Sequence, residues 1–197
     1  EGALAEGALG VSLGLGYAPE CFYTTEELIS VLSVLRGTNI PVTVHMREEG
    51  DAVCDALEEM LTVARRLQIP VHISHLKAMG RRNWGEKIPR AIALMDRARE
   101  EGLEVSCDVY PYTAGSTQLI HILPPDFLTG GTAAITQRLK DPARRRELAE
   151  RIQKGRDFDN IAGMVGWDNI LCSPLSQPEN RPFQGMSVAD IARAQGK

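Results

Sequence analysis

The chain has 197 residues and a formal net charge of −4, with 43% hydrophobic, 24% charged and only 5% aromatic residues. That balance belongs to an ordinary globular protein and excludes disorder, collagen-like structure and coiled coil. No stretch approaches the ~20 apolar residues of a membrane span, and the acidic total argues against a nucleic-acid-binding face spread over the whole molecule.

In chain order, apolar runs rich in β-branched residues begin at Val11, Val42, Val71 and Val105, at intervals of 31, 29 and 34 residues. Each gap holds one segment of helical period, the pattern of consecutive strand and helix units feeding a parallel sheet. Thr24 with Glu27 forms a capping box, and Leu28, Val31, Leu32 and Leu35 then line one face of a helix that Gly37 ends. A second helix is predicted from about Asp51 to Leu67. A third begins near Pro89, which a first turn tolerates, and buries Ile88, Ala91, Ile92, Met95 and Ala98 before Gly102. These units make the central part, residues 1–125.

Residues 126–160 break the rhythm and read as one or two charged helices, an excursion or lid with Ile135, Leu139, Leu148 and Ile152 as its apolar stripe. From Arg138 to Arg156 there are eight basic and three acidic residues, so a binding module for nucleic acid or another anion is the alternative from outside enzymology. Residues 161–197 read as a return segment, loop-like around a short strand, with a helix opening at Ser187. The four cysteines, Cys21, Cys54, Cys107 and Cys172, have no C-x-x-C spacing and read as free thiols, Cys54 and Cys107 buried, in a reducing, cytoplasmic setting.

Ligands of parallel sheets and β/α barrels bind beyond the C-terminal ends of the strands. Here the strand ends carry Tyr17 and Glu20, then VTVHMREE with His45, Arg47, Glu48 and Glu49, then VHISHLK with His75 and Lys77, then VSCDVYPY with Asp108, Tyr110 and Tyr112. Two histidines ending adjacent strands suit a metal. His72, three residues before His75, faces the other side of a regular strand and is read as packed or hydrogen-bonded; His121 follows apolar residues and is read as structural. Gly14-x-Gly16 lacks the rest of a dinucleotide fingerprint, and neither a phosphate-binding P-loop nor a G-x-S-x-G elbow occurs.

Taken in order, GALGVSLGLGYAP, HMREEG, HISHLKAMG with NWG, and DVYPYTAGST ending in ILPP resemble the N-acyl-D-amino-acid deacylases of the metal-dependent amidohydrolase superfamily. The likeness runs from about Gly7 to Pro125 and resumes weakly from Asn169 to Gly196. It implies a fold class of α/β, a partial TIM-type (β/α)₈ barrel of about strands 3 to 6 with a helical excursion, so the chain is expected to be an internal piece of a longer protein, inactive alone. It implies zinc as cofactor, a small N-acyl amino acid as substrate, neither nucleic acid nor membrane as partner, and a second copy or the rest of the same chain against the sheet edges.

Residue by residue, the resemblance makes His75 a zinc ligand and puts Tyr110 where the family has its next zinc-binding histidine. The family's His-x-His pair, its bridging cysteine and its general-base aspartate have no match, so no catalytic residue is assigned. Arg47, Lys77, Ser116, Thr117 and Tyr110 are the candidate substrate-binding residues, Arg as a bidentate carboxylate clamp and Lys as a mobile charge; an ion pair of Arg47 with Glu48 or Glu20 is the structural alternative. Within the superfamily, a hydantoin-like or other amide is the second substrate class.

Overall fold

The computed structural model describes residues 2–155 and 157–197. Four strands, β1 (Val11–Gly14), β2 (Val42–His45), β3 (Val71–Ile73) and β4 (Val105–Cys107), form one parallel sheet in the order β1-β2-β3-β4. They begin at the four valines where the apolar runs start, and the register pairs Val11 with Val42, Val42 with Val71 and Val71 with Val105. All the reactive strand ends therefore emerge along one edge of the sheet.

The helices follow from the same pattern. After the short α1 (Gly2–Ala5), α2 (Thr25–Leu32) opens on the Thr24–Glu27 capping box and tightens into a 3₁₀ turn at Ser33–Leu35. α3 (Val53–Leu67) buries Val53, Leu57, Met60, Leu61, Ala64 and Leu67 against the sheet, where each large aliphatic side chain contributes about 2 kcal/mol. α4 (Lys87–Glu100) buries Ala91, Met95 and Ala98 and is followed by Gly102 in a left-handed conformation. Two expected core residues lie outside: Val31 is 60% and Ile92 47% exposed. On the two-turn helix α2 the short apolar stripe leaves the rotation free by one position, and the neighbouring Ile29 takes the inward place.

α5 (Gly131–Lys140) and α6 (Pro142–Lys154) form a hairpin hinged at Asp141, whose carboxylate caps α6. Leu123, Phe127 and Leu148 give this hairpin a small core separate from that of the sheet, with Ile135 and Ile152 packed on it; Leu139 is 37% exposed. α7 (Ile161–Val165) and α8 (Val188–Ala194) follow, joined by one antiparallel bridge between Leu171 and Ser187, and Ser187 caps α8. The four cysteines are free, as expected, but only Cys54 is buried; Cys107 is exposed because it ends the edge strand β4. Among the described residues no helix is long and apolar enough to cross a membrane.

Candidate metal centre

Two adjacent strand ends build one site. β2 delivers His45 at its last residue, and the chain then turns so that Glu49 folds back with its side chain only 7% exposed. β3 stops at Ile73, and His75 takes a left-handed backbone (φ 43°) that the regular strand alternation does not supply. A ligand atom from each of His45, Glu49 and His75 lies within 4.8 Å of the other two. His45 Nδ1 is 3.2 Å from His75 Nε2, and Glu49 Oε1 is 3.0 Å from His75 Nδ1 and 3.6 Å from His45 Nδ1. Two imidazoles and a carboxylate are the donor set of a catalytic zinc site that keeps positions for water and substrate.

A cation already belongs to this geometry. Lys77 Nζ donates to Glu49 Oε1 and lies 3.0 Å from His75 Nδ1, so an ammonium group neutralises the buried carboxylate at a position that touches two of the three donors. The donors thus fit a cation, and a metal ion here would compete with Lys77 for Glu49. Burial, followed by the charges of His75, Lys77 and His121, pushes the His45 imidazolium down to about 4. His45 is accordingly neutral at physiological pH, the form in which imidazole ligates metals.

Aromatic rings wall the site. Tyr17 stacks on His45 with centroids 4.4 Å apart and brings its hydroxyl to 3.4 Å from Nδ1. His121 packs on the far side of Tyr17, also at 4.4 Å, with its Nδ1 buried and unpartnered. Gly16 is required here by space: a Cβ would lie 2.7 Å from His45 Nε2. Opposite, Tyr110 lies 6.5 Å from the His75 ring and under Lys77 Nζ at 5.7 Å, and Tyr112 stacks on it. Burial, and next the Glu49 charge, raises the Tyr110 phenol.

The other candidates fall as follows. Ser116 and Thr117 lie in an exposed irregular segment, Thr117 within hydrogen-bonding reach of Tyr17. Arg47 is held elsewhere. Its guanidinium makes a bidentate pair with Glu59 of α3 (2.9 and 3.0 Å) and donates to the carbonyls of Cys21 and Tyr23. The structural ion pair is therefore with Glu59, not Glu48 or Glu20; Glu20 accepts from the Gly14 amide instead. Glu48 faces Asp159, and burial together with that neighbouring carboxylate raises Glu48 to about 8. His72 is hydrogen-bonded as read, to Ser106 and Asp108.

In the sequence, His45 reads with His75 as one of two strand-ending histidines that suit a metal, though only His75 is assigned as a ligand; Glu49 stands among the strand-end groups without that role. His121, read as structural, packs its ring on Tyr17 in the aromatic wall. In the basic segment, Arg138 and Arg145 donate to backbone carbonyls, Arg144 to Glu147, and Arg151 to Asp126 and Asp157. Arg156 lies outside the described residues.

No family model matches the chain. It is 37% identical over 196 residues to a D-aminoacylase of Alcaligenes xylosoxydans xylosoxydans, a match covering 98% of this chain and 37% of that protein. It is 42% identical over 118 residues to an N-acyl-D-glutamate deacylase of the same organism, covering 60% of this chain and 24% of the relative. Among solved structures, the N-acyl-D-glutamate deacylase of Bordetella bronchiseptica, complexed with zinc and a phosphonate mimic of the tetrahedral intermediate, aligns over 96% of this chain and 31% of its own. Its TM-score is 0.68 at 30% identity. The chain thus spans little more than a third of the length of this D-aminoacylase and less than a third of the other two relatives.

Proposed function

We propose that this chain, whose sequence places it among the N-acyl-D-amino-acid deacylases of the amidohydrolase type, is the part of such an enzyme that holds zinc and one side of the substrate pocket. The observation that carries the reading is the convergence of His45, Glu49 and His75 at the ends of adjacent parallel strands. The chemistry zinc supplies when bound is Lewis acidity, which polarises an amide carbonyl and acidifies a water.

The chain's own residues do the rest of what this segment offers. His45, Glu49 and His75 would hold the ion. Lys77, released from Glu49 when the ion takes that carboxylate, is placed to meet the substrate carboxylate over the face of Tyr110. Tyr110 and Tyr112 form an apolar wall, and Ser116 with Thr117 offers hydroxyl donors to the acyl or carboxylate oxygen. Arg47 supports this arrangement from behind by tying the end of β2 to α3. The proton-shuttling aspartate that the family resemblance calls for has no counterpart among these residues, so it belongs to another part of the enzyme in this reading.

The test is hydrolysis of N-acetyl-D-amino acids, and of their L enantiomers, by the protein that contains this chain, with zinc removed and restored. Zinc-dependent turnover confined to the D series, abolished by His75→Ala, is the expected result. Absence of turnover with zinc across acidic and apolar D side chains would overturn the assignment.

A further inference from the structure

The left-handed turn that aims His75 has a holder. Three hydrogen bonds join the His75 turn to one residue of the neighbouring strand end, Asp108. Its amide donates to the Ile73 carbonyl (3.1 Å), its carbonyl accepts from the Leu76 amide (2.9 Å), and its carboxylate Oδ1 accepts from the His75 amide. A non-glycine residue at positive φ is strained and persists only where its surroundings hold it. Residues 73, 75 and 76 are all held by Asp108.

Asp108 is itself held. Its second oxygen, Oδ2, lies 3.0 Å from His72 Nε2, and His72 Nδ1 lies 2.8 Å from Ser106 Oγ. The simplest proton assignment satisfies every atom: Ser106 donates to Nδ1, Nε2–H donates to Asp108, and Asp108 accepts the His75 amide. The cross-strand pairing explains the alignment, since His72 and Ser106 are register partners in β3 and β4.

From this geometry we propose that Asp108 is the positioning residue for His75, with His72 and Ser106 as its support, so that the relay Ser106–His72–Asp108 sets the direction of the His75 imidazole toward His45 and Glu49. The proposal rests on the metal-binding reading above. It extends that reading to residues with no contact to the ion, in the way that hydrogen-bonded partners orient ligating side chains elsewhere.

The experiment strips the protein that contains this chain of metal and titrates it with Co²⁺, read by visible absorption, and with zinc against a chelating competitor. His75→Ala is the reference. Asp108→Ala is expected to weaken binding by roughly 10- to 100-fold and to alter the Co²⁺ spectrum, while Asp108→Asn, which keeps a carbonyl for the His75 amide, recovers most of both. If Asp108→Ala does not fold, His72→Phe carries the same test: it keeps a ring but removes the donor to Asp108, and several-fold weaker binding with a shifted spectrum is expected. Wild-type affinity and spectrum in the folded Asp108→Ala protein, or failing that in His72→Phe, while His75→Ala binds weakly, overturn the positioning role alone. Undiminished binding in His75→Ala overturns the metal reading and this inference with it.

Discussion

The ends of β2 and β3 carry the same short pattern, a histidine, a buried apolar residue and a cation: His45-Met46-Arg47 and His75-Leu76-Lys77. At β2 the strand runs straight through the histidine, and Arg47 reaches back to Glu59 on α3 and to the carbonyls of Cys21 and Tyr23. At β3 the strand stops two residues short of the histidine, the left-handed turn intervenes, and Lys77 reaches Glu49 in the metal centre. Identical local chemistry thus yields a strut in one place and a site residue in the other. The direction of a cation is decided by the backbone before it and by which carboxylate packing has already buried nearby.

Removing each cation in turn should have the largest and most divergent effects. Arg47→Ala leaves Glu59, 12% exposed, without its bidentate partner, and it should cost about 3 kcal/mol in urea unfolding. Lys cannot reproduce the fork, so Arg47→Lys should recover little of the loss. Lys77→Met should behave in the opposite sense. With the competing ammonium gone from Glu49 and His75, zinc affinity should rise roughly tenfold, while KM for an N-acyl amino acid rises because the charge facing its carboxylate is lost. A fall in zinc affinity in Lys77→Met would show that Lys77 supports the donors rather than competing with them.

A smaller effect should come from pH, because the turn after Arg47 is fastened by an acid pair that β3 lacks. Burial, followed by the Asp159 carboxylate, raises Glu48 to about 8, and burial, followed by the charge of Glu49, raises Asp159 to about 6. Both values stand above those of an unfolded chain. The pair's contribution is therefore complete below the ordinary carboxyl range and is lost as pH rises through that range toward the folded values. The melting temperature should fall between about pH 5 and about pH 8, and Glu48→Gln should flatten that slope. An equal slope in wild type and variant would place the titrating groups elsewhere.

The same contrast explains what could be read in the sequence. The four strands, the capping box at Thr24 and the bounds of α3 were legible because they depend on period and on neighbours within one turn. His75 was legible through motif resemblance, but its geometry was not. Regular alternation puts His72 and His75 on opposite faces, whereas the turn at residues 74–75 lets both engage Asp108, one through its ring and one through its amide. The fates of Arg47 and Glu49 depended on partners 12 and 28 residues away, a separation that no local pattern encodes. His121 looked structural because its flanking residues are apolar; its ring meets Tyr17 only because the segment after β4 crosses the sheet end.

The mildest perturbation acts through space alone. Gly16 has ordinary backbone geometry, so an added methyl costs nothing in conformation, but its Cβ would lie 2.7 Å from His45 Nε2 and 3.3 Å from the Met46 carbonyl. The imidazole must shift to admit the methyl, and it is hemmed by Tyr17 on one side and His75 on the other. Gly16→Ala should therefore lower Co²⁺ affinity several-fold and perturb its spectrum through His45. The variant separates the two histidines: Asp108→Ala disturbs the donor from β3, Gly16→Ala the donor from β2. If Gly16→Ala binds the metal as wild type does, His45 is a wall of the site and the ion is held from β3 and Glu49.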